Sequence, residues 1–297
     1  GFGHILGVLC GGFLYNGFNR LYNGWGFEKG ALFFVSAAAM LASVIPIFLI
    51  PEGGTSAGGR DESREGRPGG VPTSGGFSKR GLFVFILFLA AMAFVNFGRN
   101  SIAMINSQYL TLESGFHLSS QALSHLINAY SAAMIVSGFI LGRLIIREKH
   151  ALLLMIGTAI AVLSSVLYFL ASALGWIYCA NILGGSGEVI IFAGSYAIAS
   201  RLIPPQSRAR LFGYFNATFF LSWGVAGTII LGPLIDYLIG AGQSQIYAYK
   251  SSYLIAAAIT LIGLLLLAAL TYIVIPRAAG RSAAAANMTM DGKEMEG

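Results

Sequence analysis

Eight long apolar stretches are the feature that most constrains what this chain can fold into. Each is 16 to 28 residues long, and more polar segments separate them. A helix rises roughly 1.5 Å per residue, so about 20 apolar residues cross a bilayer core about 30 Å thick. Charged residues make up only 10% of the chain, against about 25% in a soluble globular protein. The predicted fold class is therefore an all-α polytopic membrane protein with about eight transmembrane helices.

The predicted spans are Gly3–Phe18, Ala31–Ile50, Gly81–Ser107, Ser120–Gly142, Ala151–Ala171, Trp176–Ser200, Phe212–Ile239 and Tyr253–Ile275. The first is short because the chain starts inside it. No basic segment or cleavage site precedes its apolar residues, so it is not predicted to be a signal peptide. We expect the N-terminus to be truncated.

Basic residues between the spans predict the orientation in the membrane. Fourteen of the 18 Lys and Arg residues lie on one side of the alternating spans and three on the other, while Arg99 lies within a span. Positively charged loops stay in the cytoplasm. The linker 51–80 and the tail 277–297 are therefore predicted to be cytoplasmic, in a protein of the cell membrane. The linker is rich in Gly, Ser and Pro, which is typical of a flexible connection.

Other function classes find little support in the sequence. The net charge of +6 does not indicate nucleic-acid binding, because the basic residues flank the spans. Cys10 and Cys179 both lie in apolar stretches and form neither a disulfide framework nor a metal-ligand cluster. No Walker A sequence or paired-aspartate motif supports a nucleotide-driven pump or a prenyltransferase. We expect no enzyme activity, no cofactor, no metal and no nucleic-acid partner.

Polar residues inside the spans follow a three-span rhythm. The second, fifth and eighth spans carry only Ser, Thr and Tyr beside apolar residues, whereas the third, fourth, sixth and seventh hold Asn, Arg, His, Glu or Asp. This pattern suggests a three-helix unit in which one helix faces lipid. A weak echo links GVLCGGFL at residues 7–14 to GTIILGPL at residues 227–234. Internal repeats of this kind are common in transporters.

Three motifs carry a resemblance to a known family. RLIPPQSRARLFGYFNATFFLSWGVAGTIILGPLID, at residues 201–236, has a short Pro–Arg loop that leads into a glycine-spaced helix closed by Gly-Pro. NILGGSGE, at residues 181–188, matches the glycines of an R-x-x-Q-G-x-G motif with Gly185 and Gly187, but Asn181 replaces the arginine. GFILGRLIIR, at residues 138–147, is similar to a degraded G-x-L-x-D-R-x-G-R-R loop, with Gly142 at the aspartate position.

These motifs and their order resemble the major facilitator superfamily. The resemblance implies that the eight spans are the last eight of twelve. Residues 1–50 would then be the last two helices of the N-terminal half, residues 51–80 the central linker and residues 81–276 the six-helix C-terminal half. It further implies transport by alternating access, without catalytic residues.

Glu188 is the strongest candidate for a role in transport. It lies 12 residues after Trp176, about 18 Å into the membrane core and so near its midplane. Acidic residues cost about 3 kcal/mol at a helix centre and usually face an interior cavity. A proton carrier is the functional interpretation, and a protonated structural carboxylate is the alternative. Asn96 lies at about the same depth and is placed to hydrogen-bond Glu188, and Arg99 lies one turn further out.

Arg99 also allows two interpretations. It can extend to the headgroups, or it can join Asn96 and Asn100 in a polar stripe on one helix face. His125 and Asn128 lie in the first turns of the fourth span, within the same outer half of the membrane. Together these residues predict a solute or proton pathway, although an interfacial histidine is the alternative for His125.

The glycines of the spans are predicted to let helices approach closely. The residues assigned to helix packing or gating are Gly138, Gly142, Arg143, Gly185, Gly187, Gly227, Gly232 and Pro233. Pro233 is expected to kink its span near the outer end.

One enzymatic alternative is the GxSG sequence at residues 184–187, which resembles the signature of rhomboid intramembrane proteases. Such a serine needs a histidine on a later helix as its base, and no histidine follows His150.

The leading hypothesis is a secondary transporter of a small organic solute, with protons and the lipid bilayer as further partners. A transport-inactive membrane scaffold or solute sensor of the same fold is the alternative.

Overall fold

The computed structural model describes residues 5–9, 37–38, 41–42, 79–143, 149–204 and 207–276. The chain divides into two compact units, one of Cys10–Phe77 and one of Gly1–Leu9 with Ser78–Gly297. In the first unit, the described residues 37–38 and 41–42 are helical and exposed. The first two predicted spans, the linker 51–80 and the tail 277–297 lie almost entirely outside the described residues.

The second unit consists of helices joined by short connections, and its described part contains no strand. The α-helices are α1 (Lys79–Thr111), α2 (Ser120–Arg143), α3 (His150–Leu170), α4 (Leu174–Leu202), α5 (Arg208–Val225), α6 (Gly232–Gly240) and α7 (Gln245–Ala269). Wider π-helical turns, Ala226–Leu231 and Leu270–Val274, join α5 to α6 and extend α7. α1, at 33 residues, is about 50 Å long and exceeds the thickness of a bilayer core.

Five helices of the described chain are long and apolar enough to cross a membrane, and a bent pair of helices makes six if it counts as one span. The bent pair is Arg208–Trp223 and Ala226–Gly240, which meet at 44°. Each of the last six predicted spans falls on one of these elements. The sequence predicted a kink at Pro233, which lies in the first turn of α6, but the bend comes earlier, between Trp223 and Ala226. A proline clashes with the carbonyl four residues earlier, and the wider π turn before it accommodates this clash.

Each helix of the second unit packs against specific neighbours. α3 packs between α4 and α7, α1 packs between α7 and α5, and α2 packs against α4. The helices therefore form an arc in the order α2, α4, α3, α7, α1, α5. α1 and α2 make few direct contacts with each other, and this leaves room for a cavity between them.

The distribution of side chains is that of a protein in lipid. Large apolar side chains such as Leu163, Ile229 and Leu265 are exposed on the outer faces. Buried positions include the polar residues Asn100 and Glu188. A soluble domain reverses this pattern, since its charged residues stay in water. The prediction of an all-α polytopic membrane protein is confirmed.

Two of the predicted packing glycines lie at close contacts between helices. A Cβ on Gly185 would strike the backbone carbonyl oxygen of Tyr130, and one on Gly227 would strike the side chain of Met104. Small residues at these points let α4 approach α2, and the π turn approach α1. Gly187 lies beside the carbonyl oxygen of Gly157 at 3.1 Å from its would-be Cβ.

The remaining packing candidates are placed differently. Gly138 has Val189 at ordinary van der Waals distance, whereas Gly142 has nothing within 4 Å, and Arg143 is exposed. The nearest neighbour of Gly232 is the carbonyl oxygen of Gly227, in the preceding π turn. Among the described residues, no close helix packing is found at the Gly142 end of α2.

α3, the fifth predicted span, only partly meets the prediction that every third span faces lipid. Leu152, Ile156 and Leu163 are exposed on one face, as expected for a helix against lipid. Its opposite face, however, packs against α4 and α7 and turns Ser164 and Tyr168 towards the interior. Buried hydroxyls on these helices often donate to backbone carbonyls, as Thr158 does to Leu154. A span that holds only Ser, Thr and Tyr is therefore not confined to the lipid face.

Candidate functional site: a cavity with a buried ion pair

A cavity of about 500 Å³ opens inside the second unit. Its wall comes from α1, α2, α3 and α4, with Trp223 of α5 added. A volume of this size lies within the range of small-molecule sites, which is about 300–1,000 Å³. The lining is mostly apolar, with polar groups at separate points on each helix.

Glu188 lies at the midpoint of α4, fourteen residues from Leu174 and fourteen from Leu202. Its Oε2 lies 2.8 Å from Nη1 of Arg99 on α1, and the exposed fractions of the two side chains are 11% and 8%. The hydroxyl of Tyr130 on α2 donates a hydrogen bond to the same carboxylate oxygen. Three helices therefore meet at one carboxyl group.

Arg99 is held between two aromatic rings. Its Cζ lies 5.6 Å from the ring centroids of both Phe192 on α4 and Phe219 on α5. Such cation–π contacts stabilise a buried guanidinium by about 2 kcal/mol when water is excluded. Although Nη1 is at ion-pair distance from Glu188, no N–H of Arg99 is aligned on a hydrogen-bond partner among the described residues. The guanidinium is therefore paired with Glu188 by charge, while its N–H donors make no aligned hydrogen bond to a described residue.

Arg99 also separates the cavity from a smaller space. This second space of about 10 Å³ is lined by Asn96, Ser195 and Asn216, among others, towards the Lys79 end of α1. Tyr196 closes it further by donating a hydrogen bond of 2.7 Å to Asn216. The large cavity therefore ends at the plane of Arg99, Phe192 and Phe219.

The predicted polar stripe of α1 is present, but its partners differ from those expected. Asn96 donates to Thr218 at 3.2 Å and does not contact Glu188, while Asn100 donates to Ser222 at 2.6 Å. These bonds attach α1 to α5. The hydrogen bond expected between Asn96 and Glu188 is not formed, because the amide of Asn96 donates to Thr218 instead.

His125 and Asn128 are not brought to this site. His125 is exposed, and neither residue lines the cavity. The amide oxygen and nitrogen of Asn128 are buried and have no hydrogen-bond partner in the described part of the chain. The cavity face of α2 instead carries Ile127, Tyr130 and Met134, which recur at helical spacing.

Sequence reasoning missed several lining residues because they did not stand out as polar in an apolar span. Tyr130, Tyr168 and Trp223 are aromatic, and Asn106 lies near the end of α1. Asn106 donates to the hydroxyl of Tyr168 and accepts from that of Tyr253, at 3.1 and 3.0 Å. The spacing of Asn96, Asn100 and Arg99 on α1 extends to Asn106 and would have found it.

Ser186 of the GxSG sequence lies beside another hydroxyl. The hydroxyl of Ser137 donates to it at 2.9 Å. This pairing joins α2 to α4, and it is a packing contact between two serines.

Comparison with known proteins identifies the family of this helical membrane protein. The sequence profile of the Major Facilitator Superfamily matches residues 1–227 and, in a second and overlapping match, residues 89–289. The chain belongs to the major facilitator superfamily, as its motifs indicated.

A curated relative gives a weaker link. Multidrug resistance protein 2 of Bacillus subtilis (strain 168) is 21% identical over 178 residues, which cover 60% of this chain. The match spans 42% of the length of that relative. The name of the relative describes that protein, and a function for this chain has to be argued from its own site.

Proposed function

We propose that this protein is a secondary active transporter of a small organic solute, which it moves across the cell membrane by alternating access. The cavity of the C-terminal half, residues 81–276, contributes to the solute pathway. Glu188 takes up and releases the coupling proton. Membership of the major facilitator superfamily and the name of the B. subtilis relative agree with this role.

The observation that carries the proposal is the ion pair of Arg99 and Glu188 at the cavity wall. Moving two charges out of water costs several kcal/mol per ion, and their attraction repays this cost only with good geometry. In many proteins, replacing a buried ion pair by apolar residues of similar volume leaves the protein at least as stable. A buried pair with unused donors, placed in a cavity at a helix midpoint, therefore suggests a function in transport.

The carboxylate is suited to proton coupling because its contacts change with protonation. When ionised, Glu188 accepts from Tyr130 and pairs with Arg99. When protonated, it loses the attraction to Arg99, and the link between α1 and α4 weakens. A proton would thus alter a contact between helices that must move during transport.

The charge distribution supports one orientation for this cycle. The 14 basic residues on one side of the spans favour a cytoplasmic location for the linker 51–80 and the tail. The cavity then lies towards the outer ends of α1 and α4, and the Arg99 plane closes it on the cytoplasmic side.

Flux through the reconstituted protein tests the proposal. Proteoliposomes with the pH-sensitive dye pyranine inside are exposed to a panel of small organic anions, cations and neutral solutes. We expect at least one solute to drive a change of internal pH that a protonophore collapses. Liposomes without protein and liposomes that contain the Glu113→Gln variant are the controls, because Glu113 is exposed in the loop after α1.

The alternative role gives a different result. A transport-inactive scaffold or sensor would bind solutes without moving them. Proteoliposomes that remain silent with every solute, although the purified protein is folded and binds a member of the panel, would overturn the transport proposal.

A further inference from the structure

The charged groups of the cavity are few. Among the described residues that line it, Arg99 and Glu188 carry charge, and Tyr130 and Tyr168 are the other titratable side chains. The groups that face Glu188 are Arg99 from α1 and Tyr130 from α2, while α5 contributes the rings of Phe219 and Trp223. An arginine stays charged in proteins, whereas a glutamate can take up a proton.

This asymmetry decides which ligand charge the site can neutralise. Without ligand, Arg99 and ionised Glu188 sum to zero. A monoanion keeps the sum at zero if Glu188 becomes protonated, but a cation leaves an excess positive charge that Arg99 cannot give up. An uncompensated charge is costly in a cavity shielded from water. Charge balance therefore favours a neutral ligand or a monoanion with one proton.

The unused donors favour the anion. Among the described residues, no hydrogen-bond partner is aligned on the buried Nε, Nη1 or Nη2 of Arg99, and 8% of the side chain is exposed. Most other polar groups of the cavity are already occupied, since Asn106 is bonded at both ends and Ser164 donates to the carbonyl of Ala180. A carboxylate accepts two parallel N–H groups of a guanidinium, which Glu188 does not do here.

The rest of the cavity suits an apolar body. Ile102, Ile127 and Met134 line it, together with the ring of Trp223. A planar ring system fits such a surface, because aromatic side chains offer large flat contact areas. The ligand class that satisfies both regions is an amphipathic organic monoanion with a ring-bearing body.

We propose that the cavity binds such a monocarboxylate together with one proton. The ligand carboxylate takes the place of Glu188 on Arg99, and the displaced carboxylate of Glu188 accepts the proton. Release of the ligand restores the ion pair and returns the proton. This inference rests on the proposed function only in that the bound ligand and proton would cross the membrane together. The binding step itself does not require transport.

Calorimetry on the purified full chain in detergent tests the binding step. Three probes share one ring body and differ in charge: 2-naphthoate, 2-naphthamide and 2-naphthylmethylammonium. Titrations in two buffers of different ionisation enthalpy give both the affinity and the number of protons taken up. We expect naphthoate to bind most tightly, with uptake of about one proton, and its affinity to fall about tenfold per pH unit as the pH rises.

Variants separate the two charged residues. Arg99→Gln should weaken naphthoate binding by about 10- to 100-fold, the value of hydrogen bonds to a charged group, and leave naphthamide unchanged. Glu188→Gln should keep naphthoate binding but abolish proton uptake and the pH dependence. If Arg99→Gln does not fold, the double variant Arg99→Gln/Glu188→Gln, which leaves no unpaired buried charge, takes its place.

The outcomes separate this inference from the transport proposal. Naphthoate binding with proton uptake supports the inference even if proteoliposomes show no flux, in which case transport alone fails. Tighter binding of the amide or the ammonium, absence of naphthoate binding at millimolar concentration, or naphthoate binding unaffected by loss of Arg99 would overturn the inference and leave transport standing.

Discussion

At the scale of single residues, the neighbours of Glu188 explain how a charged pair persists inside the membrane. Phe192 and Phe219 face the guanidinium of Arg99, and Tyr130 donates to the carboxylate. Each contact offsets part of the desolvation cost of one ion. The pair is therefore supported by side chains from three other positions, which makes those positions sensitive to substitution.

Removal of the Tyr130 hydroxyl tests this dependence. Tyr130→Phe keeps the ring but deprives Glu188 of a hydrogen bond to a charged group, worth about 1.5–3 kcal/mol. We expect the melting temperature of the purified protein to fall by about 3–12 °C, at about 2–4 °C per kcal/mol in a domain of this size. Tyr237→Phe, the same change at a side chain that is 72% exposed, is the matched control. Equal melting temperatures for the two variants would contradict this account.

The sequence predicted Glu188 more firmly than Arg99, for a physical reason. A carboxylate at the midplane has no route to water, so its depth alone indicates an interior partner. Arg99 lies further out, where a long side chain can also reach the headgroups. The choice depended on Phe192, Phe219 and Glu188, which come from other helices. Pairings between helices cannot be derived from the spacing within one helix.

At the scale of helices, hydropathy located the apolar cores better than the ends. The predicted span Trp176–Ser200 differs from α4 by two residues at each end. The last span was predicted to begin at Tyr253, but α7 begins at Gln245. Hydropathy missed the first two turns of α7 because they are polar. The side chain of Ser244 caps these turns by accepting from the backbone N–H of Tyr247 at 3.3 Å. A kink at Pro233 was predicted from the sequence, but the bend lies before the proline, between Trp223 and Ala226.

The orientation of the helices can be tested by labelling in intact cells. Native Cys10 and exposed Cys179 are first replaced by alanine. A single cysteine is then placed at Ser74 in the linker or at exposed Gln243, which leaves the Ser244 cap intact. We expect a membrane-impermeant maleimide to label the Gln243→Cys variant in intact cells and the Ser74→Cys variant only after permeabilisation, because basic loops stay inside. The opposite pattern would invert the topology.

At the scale of the whole molecule, the second unit combines an arc of six crossing elements with a cavity and a buried charged pair. The cavity walls come from successive helices, and Glu188 of α4 contacts Arg99 of α1 and Tyr130 of α2, so a change at Glu188 acts on these three helices together. The family and the fold class followed from motifs, spans and charge. The ligand class depended on which donors were already used, and only the assembled helices provide that information.

The most direct test of the central claim compares accumulation with exchange in Glu188→Gln. The solute that drives flux in the pyranine assay is offered to proteoliposomes under an imposed pH gradient, and separately for exchange against internal solute without a gradient. Glutamine has the shape of the protonated carboxyl but cannot release a proton. We expect gradient-driven accumulation to be lost while exchange continues at a reduced rate, and we expect Glu113→Gln to retain both activities. Accumulation in Glu188→Gln that keeps the wild-type pH dependence would contradict a proton-carrying role for Glu188.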